Sequence, residues 1–182
     1  MDLPKTIETK RLILRLLNID DIEFFSRIIK DNSVSENLNY IFDNNDIENP
    51  EFLFKSIINV SEKSETILCY VVLRRVTNDL AGLCGLRLSL DKNEAICFYY
   101  LIPLYRGSGF AIESMKKIIE LGFLQLSLSK ISIFINPNSS GLWKVAERIG
   151  MKYLGHIKIC GALLKAMYFS IEKKEFYDQY II

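Results

Sequence analysis

The sequence predicts an α/β (α+β) domain, built on one mixed, mostly antiparallel sheet with helices on both faces. Three observations predict it. Residues 66 to 102 form three runs rich in β-branched and aromatic residues, separated by Thr77-Asn78-Asp79 and Asp91-Lys92-Asn93, which is the pattern of an antiparallel meander. A helical apolar period from Ala111 to Leu126 is followed at once by the apolar run Lys130 to Ile135, a β-α-β unit beside the meander. Finally, 49% hydrophobic and 25% charged residues over 182 positions suit one globular unit spanning residues 1–182, with no repeat and no low-complexity linker.

The elements follow in order. From Thr9 to Leu16, Arg11, Ile13 and Arg15 alternate with Leu12, Leu14 and Leu16, the period of a half-buried strand. Asn18-Ile19-Asp20-Asp21 supplies an N-cap for a helix whose apolar face is Ile22, Phe25, Ile28 and Ile29. The stretch Asp31 to Asn49 is polar and reads as a loop. Asn49-Pro50 starts a second helix, with proline at its first position and Leu53, Phe54, Ile57 and Ile58 on its buried face. The three strands of the meander come next. The helix after them buries Ala111, Met115, Ile118, Ile119, Gly122, Phe123 and Leu126. After the strand 130 to 135, Asn138-Ser139-Ser140 caps a short helix that ends with Gly150 at its C′ position. Strands at 152 to 159 and 162 to 171 and a closing helix at 172 to 180 complete a chain of about seven strands.

Composition removes several functions. Lys and Arg number 23 against 22 Asp and Glu, a net charge of +1 without the basic excess of a nucleic-acid binder. The four cysteines, Cys69, Cys84, Cys97 and Cys160, form no CxxC pair, and His156 is the single histidine, so neither a structural zinc site nor any other metal is expected. Each cysteine lies in an apolar run and is expected to be reduced and buried. The start of the chain carries no apolar signal segment, and no uncharged apolar stretch reaches the ~18 residues of a membrane span. The expectation is a cytoplasmic protein without membrane partners, as a monomer or homodimer. A Ser-His-Asp or Cys-His machine would have to use His156, which sits in the alternating strand Tyr153 to Ile159.

The most informative segment is Leu101-Ile102-Pro103-Leu104-Tyr105-Arg106-Gly107-Ser108-Gly109-Phe110-Ala111. Glycines at a helix start let main-chain N–H groups approach an anion, and the helix dipole adds positive charge there. Arg106 adds a full charge, so the segment suits a pyrophosphate. A P-loop is excluded, because Phe110-Ala111 stands where Lys-Ser/Thr is required. A dinucleotide fingerprint is excluded by Ile112 in place of its third glycine.

Arg106-x-x-Gly109-x-Ala111 resembles the Arg/Gln-x-x-Gly-x-Gly/Ala signature of the GNAT acyl-CoA N-acyltransferases. The wider sequence is similar to their branch of ribosomal-protein N-terminal acetyltransferases. Thr9 to Arg15 resembles that branch's first strand, and Leu80 to Gly85 its third. Phe98 to Ser114 resembles its fourth strand and third helix, and Trp143 to Met151 its fourth helix and following turn. The likeness spans about residues 8 to 171, one GNAT-like acetyltransferase domain within 1–182.

The resemblance implies a sheet whose fourth and fifth strands splay apart around the pantetheine arm of acetyl-CoA, the co-substrate. Main-chain groups near Tyr100, Leu101 and Ile102 would pair with the arm. Arg106, Gly107, Ser108, Gly109, Phe110 and Ala111 would hold the pyrophosphate. Asn138 and Ser139, in the loop before the fourth helix, would border the thiol end. The implied reaction is N-acetylation of a primary amine, a protein N-terminus or a small amine, by direct attack on the thioester; the alternative is a non-catalytic acyl-CoA-binding or regulatory domain on the same fold. Catalytic positions depart from the branch. Leu142 and Ala146 replace its usual serine and tyrosine acids, and Ile96 takes the position of its strand-four glutamate. Glu94, two residues earlier on the same face, is the candidate base. The acidic residues Glu36, Asp43, Asp46 and Glu48 of the polar loop would suit a cationic acceptor. Tyr168, Cys160, Lys144 and Arg148 are further candidates around the site.

Overall fold

Alternation along the strands decides which side chains meet. In the computed structural model, which describes residues 3–31, 41, 48–58, 67–158 and 165–180, Leu12 and Leu14 are wholly buried while their neighbours turn to the other face. The described strands are β1 (Thr6–Glu8), β2 (Leu12–Leu16), β3 (Ile67–Arg74), β4 (Leu80–Leu88), β5 (Glu94–Leu101), β6 (Lys130–Ile135), β7 (Lys152–Lys158) and β8 (Lys165–Glu172). They form one eight-stranded sheet in the order β1-β2-β3-β4-β5-β6-β8-β7, antiparallel throughout except for β5 and β6, which run parallel. The count exceeds the expected seven by β1. Its three residues contain one apolar side chain, Ile7, too little to show a period, and pairing with β2 alone defines the strand.

Among the described residues, five helices cover the sheet on two sides. Helix α1 (Ile22–Ile29) and α2 (Pro50–Ile58) bury Phe25, Ile28, Phe54 and Ile57 against Cys69, Val71, Leu83 and Phe98 of one face. Asn18 caps a 3-10 turn, Ile19–Asp21, that leads into α1, and Asp21 fixes that entry through a two-pronged contact with Arg15. Helix α3 (Phe110–Leu124), α4 (Ser140–Arg148) and α5 (Lys173–Tyr180) lie on the opposite face. Every residue of the stripe expected for α3 is buried. Gly150 has φ 88° and Met151 N–H reaches the Ala146 carbonyl, the left-handed stop expected after α4. Ser139 stands at the N-cap of α4, but its side chain makes no capping hydrogen bond. No helix among the described residues is long and apolar enough to cross a membrane. Cys69, Cys84 and Cys97 are free and buried as expected, and Cys160 lies outside the described residues.

One polar brace joins the first hairpin to the start of α3. Glu113 Oε1 accepts from the Thr9 hydroxyl (2.7 Å) and the Arg11 amide (2.8 Å), and Oε2 accepts from Arg11 Nε at 2.6 Å. Arg11 Nη1 donates to the Ser108 carbonyl at 2.8 Å, and its guanidinium lies over the Phe110 ring. The turn at 106–109 is thereby tied to a strand about a hundred residues earlier in the chain.

Burial alone would raise the Glu113 carboxyl, but the bonds from Thr9 and Arg11 outweigh it and hold it below the usual carboxylate range. The brace therefore contributes stability in full above the unfolded value of about 4.3, and loses it as pH falls through the lower folded value. Replacing Glu113→Gln is expected to cost about 1.5 kcal/mol in urea unfolding at neutral pH. The gap to the parent should shrink below about pH 4; a gap that persists in acid would exclude charge as the holding force. A second expectation concerns Gly85, whose missing Cβ lets the Leu68 carbonyl and the Phe98 ring close over β4. Gly85→Ala should destabilise by about 1–3 kcal/mol in the same measurement, as overpacking does.

Candidate functional site

Strands β5 and β6 stay together for three residue pairs only: Glu94↔Lys130, Ala95↔Ile131 and Ile96↔Ser132. Beyond Ile96 they part. Strand β5 keeps its pairing with β4 up to Leu101, and the Ile102 amide donates to the Ala81 carbonyl. Alternation in that antiparallel ladder turns the main-chain groups of Cys97, Tyr99 and Leu101 away from β4, toward the gap. Helix α4 roofs the gap, and a cavity of about 350 Å³ fills it. Residues 97–101 of β5 form one wall, Ile133, Phe134 and Ile135 of β6 the other, and Leu142 and Val145 line it from α4.

The cavity opens at the start of α3, where Arg106, Gly107 and Ala111 form its lip. Gly107 and Gly109 have φ 77° and 82°, the left-handed region that costs a side-chain-bearing residue about 1–2 kcal/mol. A Cβ at Gly107 would meet nothing within 4 Å, so the main chain there is open to a ligand. The Ser108 hydroxyl donates to the Tyr105 carbonyl at 2.6 Å and stiffens the turn. Arg106 folds back: Nε donates to the Leu101 carbonyl at 3.0 Å and the guanidinium lies over the Tyr100 ring. Phe110 is buried, stacked under Arg11, so only its main chain faces the lip. Free N–H groups of the first helical turn, the helix dipole and one guanidinium thus converge on one mouth.

Most of the sequence-derived candidates gather around this cavity. Tyr100, Leu101, Arg106, Gly107, Ala111, Ser139 and Leu142 all line it. Asn138 is exposed beside it, and its amide donates to Asn136 Oδ1 at 3.0 Å. Asn136, which sequence reasoning passed over, is the buried residue that organises this loop, its carbonyl also accepting from the Ser139 amide. Ala146 is fully buried behind the wall. Glu94 stands apart from the cavity lining, at the closed end of the fork, with a carboxylate oxygen 2.9 Å from Lys130 Nζ. That contact is what raises the Lys130 ammonium above its usual value. Among the described residues, no acidic side chain lines the cavity.

Tyr99 is the residue the sequence reading did not single out. Its ring is packed with the core under α3, and its hydroxyl is aimed at the Leu142 carbonyl, 3.4 Å away. Tyr100, the next residue, points to the opposite face, where its hydroxyl donates to Asp31 Oδ2 at 3.2 Å. Burial and the Asp31 charge raise the Tyr100 hydroxyl above its usual value, so both phenols remain protonated donors.

The remaining candidates lie elsewhere. The Tyr168 hydroxyl is 3.3 Å from Ser132 Oγ and its ring stacks on Phe134, outside the cavity lining. His156 sits exposed on β7, with Nδ1 2.7 Å from the Tyr153 hydroxyl. Lys144 and Arg148 are exposed on α4. Glu36, Asp43 and Asp46 lie outside the described residues, while Glu48 is exposed. No group of three or more metal-ligating side chains exists among the described residues.

Comparison with known proteins agrees with this geometry. The chain is 25% identical over 177 residues to an uncharacterized N-acetyltransferase, p20, of Bacillus licheniformis, covering 94% of this chain and 98% of that protein. A GNAT-family acetyltransferase from Bacillus anthracis superposes with a TM-score of 0.74 at 20% identity, covering 93% of this chain and 99% of that one. A spermidine N-acetyltransferase from Vibrio cholerae, solved with CoA and spermine, gives 0.73 at 20% identity over 92% of this chain and 99% of its own. A putative ribosomal-protein-serine acetyltransferase from the same organism gives 0.68 at 22% identity over 94% and 99%. The family model described as the acetyltransferase (GNAT) domain matches residues 11–152, from the brace at Arg11 to the start of β7, and the chain belongs to that family.

Proposed function

We propose that the protein transfers an acetyl group from acetyl-CoA to a primary amine, with the donor's phosphates at the glycine turn and its pantetheine arm in the fork. One observation carries the reading: the gap between β5 and β6 is continuous with the open turn at the start of α3. The N–H groups of the helix start and Arg106 supply the phosphate end. The outward main-chain groups of Tyr99 and the Leu101 N–H supply hydrogen bonds to the amides of the arm, as an added strand would. Ser139, beside Asn138, borders the thioester end, and the apolar walls keep water from it.

The acceptor nitrogen attacks the carbonyl carbon, the C–N bond forms, the C–S bond breaks, and the sulfur leaves with the bonding pair. Attack requires an unprotonated amine. Glu94 is engaged by Lys130 and lies apart from the cavity lining, so the site offers little help in removing a proton. That favours an acceptor with a low pKa, such as an α-amino group at about 8, over a lysine side chain at about 10.4. Of the proteins that share the fold, one is named for spermidine, a small amine, and another for a ribosomal protein. The absence of an acidic residue among the described cavity-lining residues equally favours the second reading, a domain that binds acyl-CoA without turnover. Mass-spectrometric detection of an acetylated amine from a panel of peptides and small amines separates the two readings, since binding without product would leave only the second.

Calorimetric titration with acetyl-CoA tests the site itself. Gly109→Val should weaken binding at least about tenfold, equal to about 1.4 kcal/mol, because a branched side chain cannot hold the positive φ of the turn and its Cβ would crowd Arg11. Arg106→Ala should cost less, since the main-chain donors and the dipole remain. Undiminished affinity in folded Gly109→Val protein would remove the turn from the cofactor site.

A further inference from the structure

Among the described residues, the Tyr99 hydroxyl makes one long hydrogen bond, to the Leu142 carbonyl. Its contact with the Leu142 carbonyl is 3.4 Å, whereas O–H···O bonds cluster near 2.7–2.8 Å. A half-buried donor in so long a bond adds little to the fold, and phenylalanine would fill the same space at little cost. The hydroxyl is thus at the disposal of a molecule bound in the cavity that Tyr99 lines.

Its position indicates the use. Tyr99 and Leu142 face each other across one cavity, β5 on one side and the first turn of α4 on the other. With phosphates at the mouth, the reacting end of the donor lies toward the closed end of the fork, past Leu101 and level with Cys97 to Tyr99. The side chains of Leu142 and Ala146, on the helix that roofs this end, have no proton to give. Tyr99 brings a hydroxyl to that place from the strand. It enters from the α3–α4 side, opposite the face to which Tyr100 and Phe98 point, and so leaves the acceptor's approach open.

We infer that the Tyr99 hydroxyl donates a hydrogen bond to the thioester sulfur as the C–S bond breaks, stabilising the departing thiolate. The inference rests on the acyltransferase reading. The acceptor nitrogen gives its electron pair to the carbonyl carbon, the C–S pair passes to sulfur, and the proton shed by nitrogen ends on sulfur or in solvent. Tyr99 keeps its own proton throughout. Burial holds that hydroxyl well above its usual value, as suits a donor that is never spent.

The test is Tyr99→Phe, read in three ways. Thermal unfolding of the ligand-free variant should be unchanged or raised, and acetyl-CoA affinity should stay within about twofold. The thiol of bound CoA, followed by thiolate absorbance across pH, should titrate about one unit higher in the variant, a tenfold loss of thiolate stabilisation. Turnover with any accepted amine should fall about tenfold in kcat at constant KM. Leu142→Ser in the Tyr99→Phe background, which returns a hydroxyl to the cavity from the helix, should restore part of the thiol shift. An identical thiol titration in parent and variant would overturn the inference, as would destabilisation of the ligand-free variant, which would make the hydroxyl a structural one. Failure of the parent protein to bind acetyl-CoA would instead overturn the acyltransferase reading, and this inference with it.

Discussion

The parting of β5 and β6 is the constraint on which the rest of the site depends. A parallel pair that continued past Ile96 and Ser132 would satisfy its own main chain and leave no room between the strands. Because it stops, three consecutive outward positions, Cys97, Tyr99 and Leu101, retain main-chain groups without a strand partner on that side. The cost is limited by what surrounds the gap. Strand β4 holds β5 along its whole length, β8 holds β6, and α4 closes the roof. Arg106 Nε occupies the Leu101 carbonyl at the mouth, so that acceptor is already engaged.

The glycine turn inherits its shape from residues remote in sequence. Two left-handed glycines flanking a single residue give a turn little rigidity of its own, and glycine has the most conformational freedom to lose. Arg11 supplies the missing constraint from two directions at once, holding the Ser108 carbonyl and, through Glu113, the first turn of α3. Glu113 also complements the positive end of the helix dipole, which keeps a carboxylate there without neutralising the N–H groups at the lip.

The sequence disclosed the periodic features well. The α3 stripe, the β2 alternation and the Gly150 stop match because each arises from local spacing that survives in any fold. Strand β1 escaped, since three residues carry no period and its existence depends on a partner. The Arg11–Glu113 brace escaped for a related reason: Thr9 and Arg11 read as the polar side of a strand, and nothing in their spacing names a residue on another element. Glu94 illustrates the opposite case. Counting positions puts it on one face of β5 with Ile96, but register with Lys130 decides that its charge is taken up at the closed end of the fork.

Tyr99 and Tyr100 mark the limit of what spacing can convey. Both sit in the aromatic run Phe98-Tyr99-Tyr100, and a buried strand between two helix layers shows no alternation of polarity by which to separate their faces. The sheet assigns Tyr99 to the α3–α4 side and Tyr100 to the side of α1 and Asp31. One strand thus presents a protonated hydroxyl on each side of the fork, although the residues are adjacent in the chain. Such an arrangement relieves α4 of the need to carry a donor. Leu142 and Ala146 can then be read as packing residues, one lining the cavity and the other buried behind it.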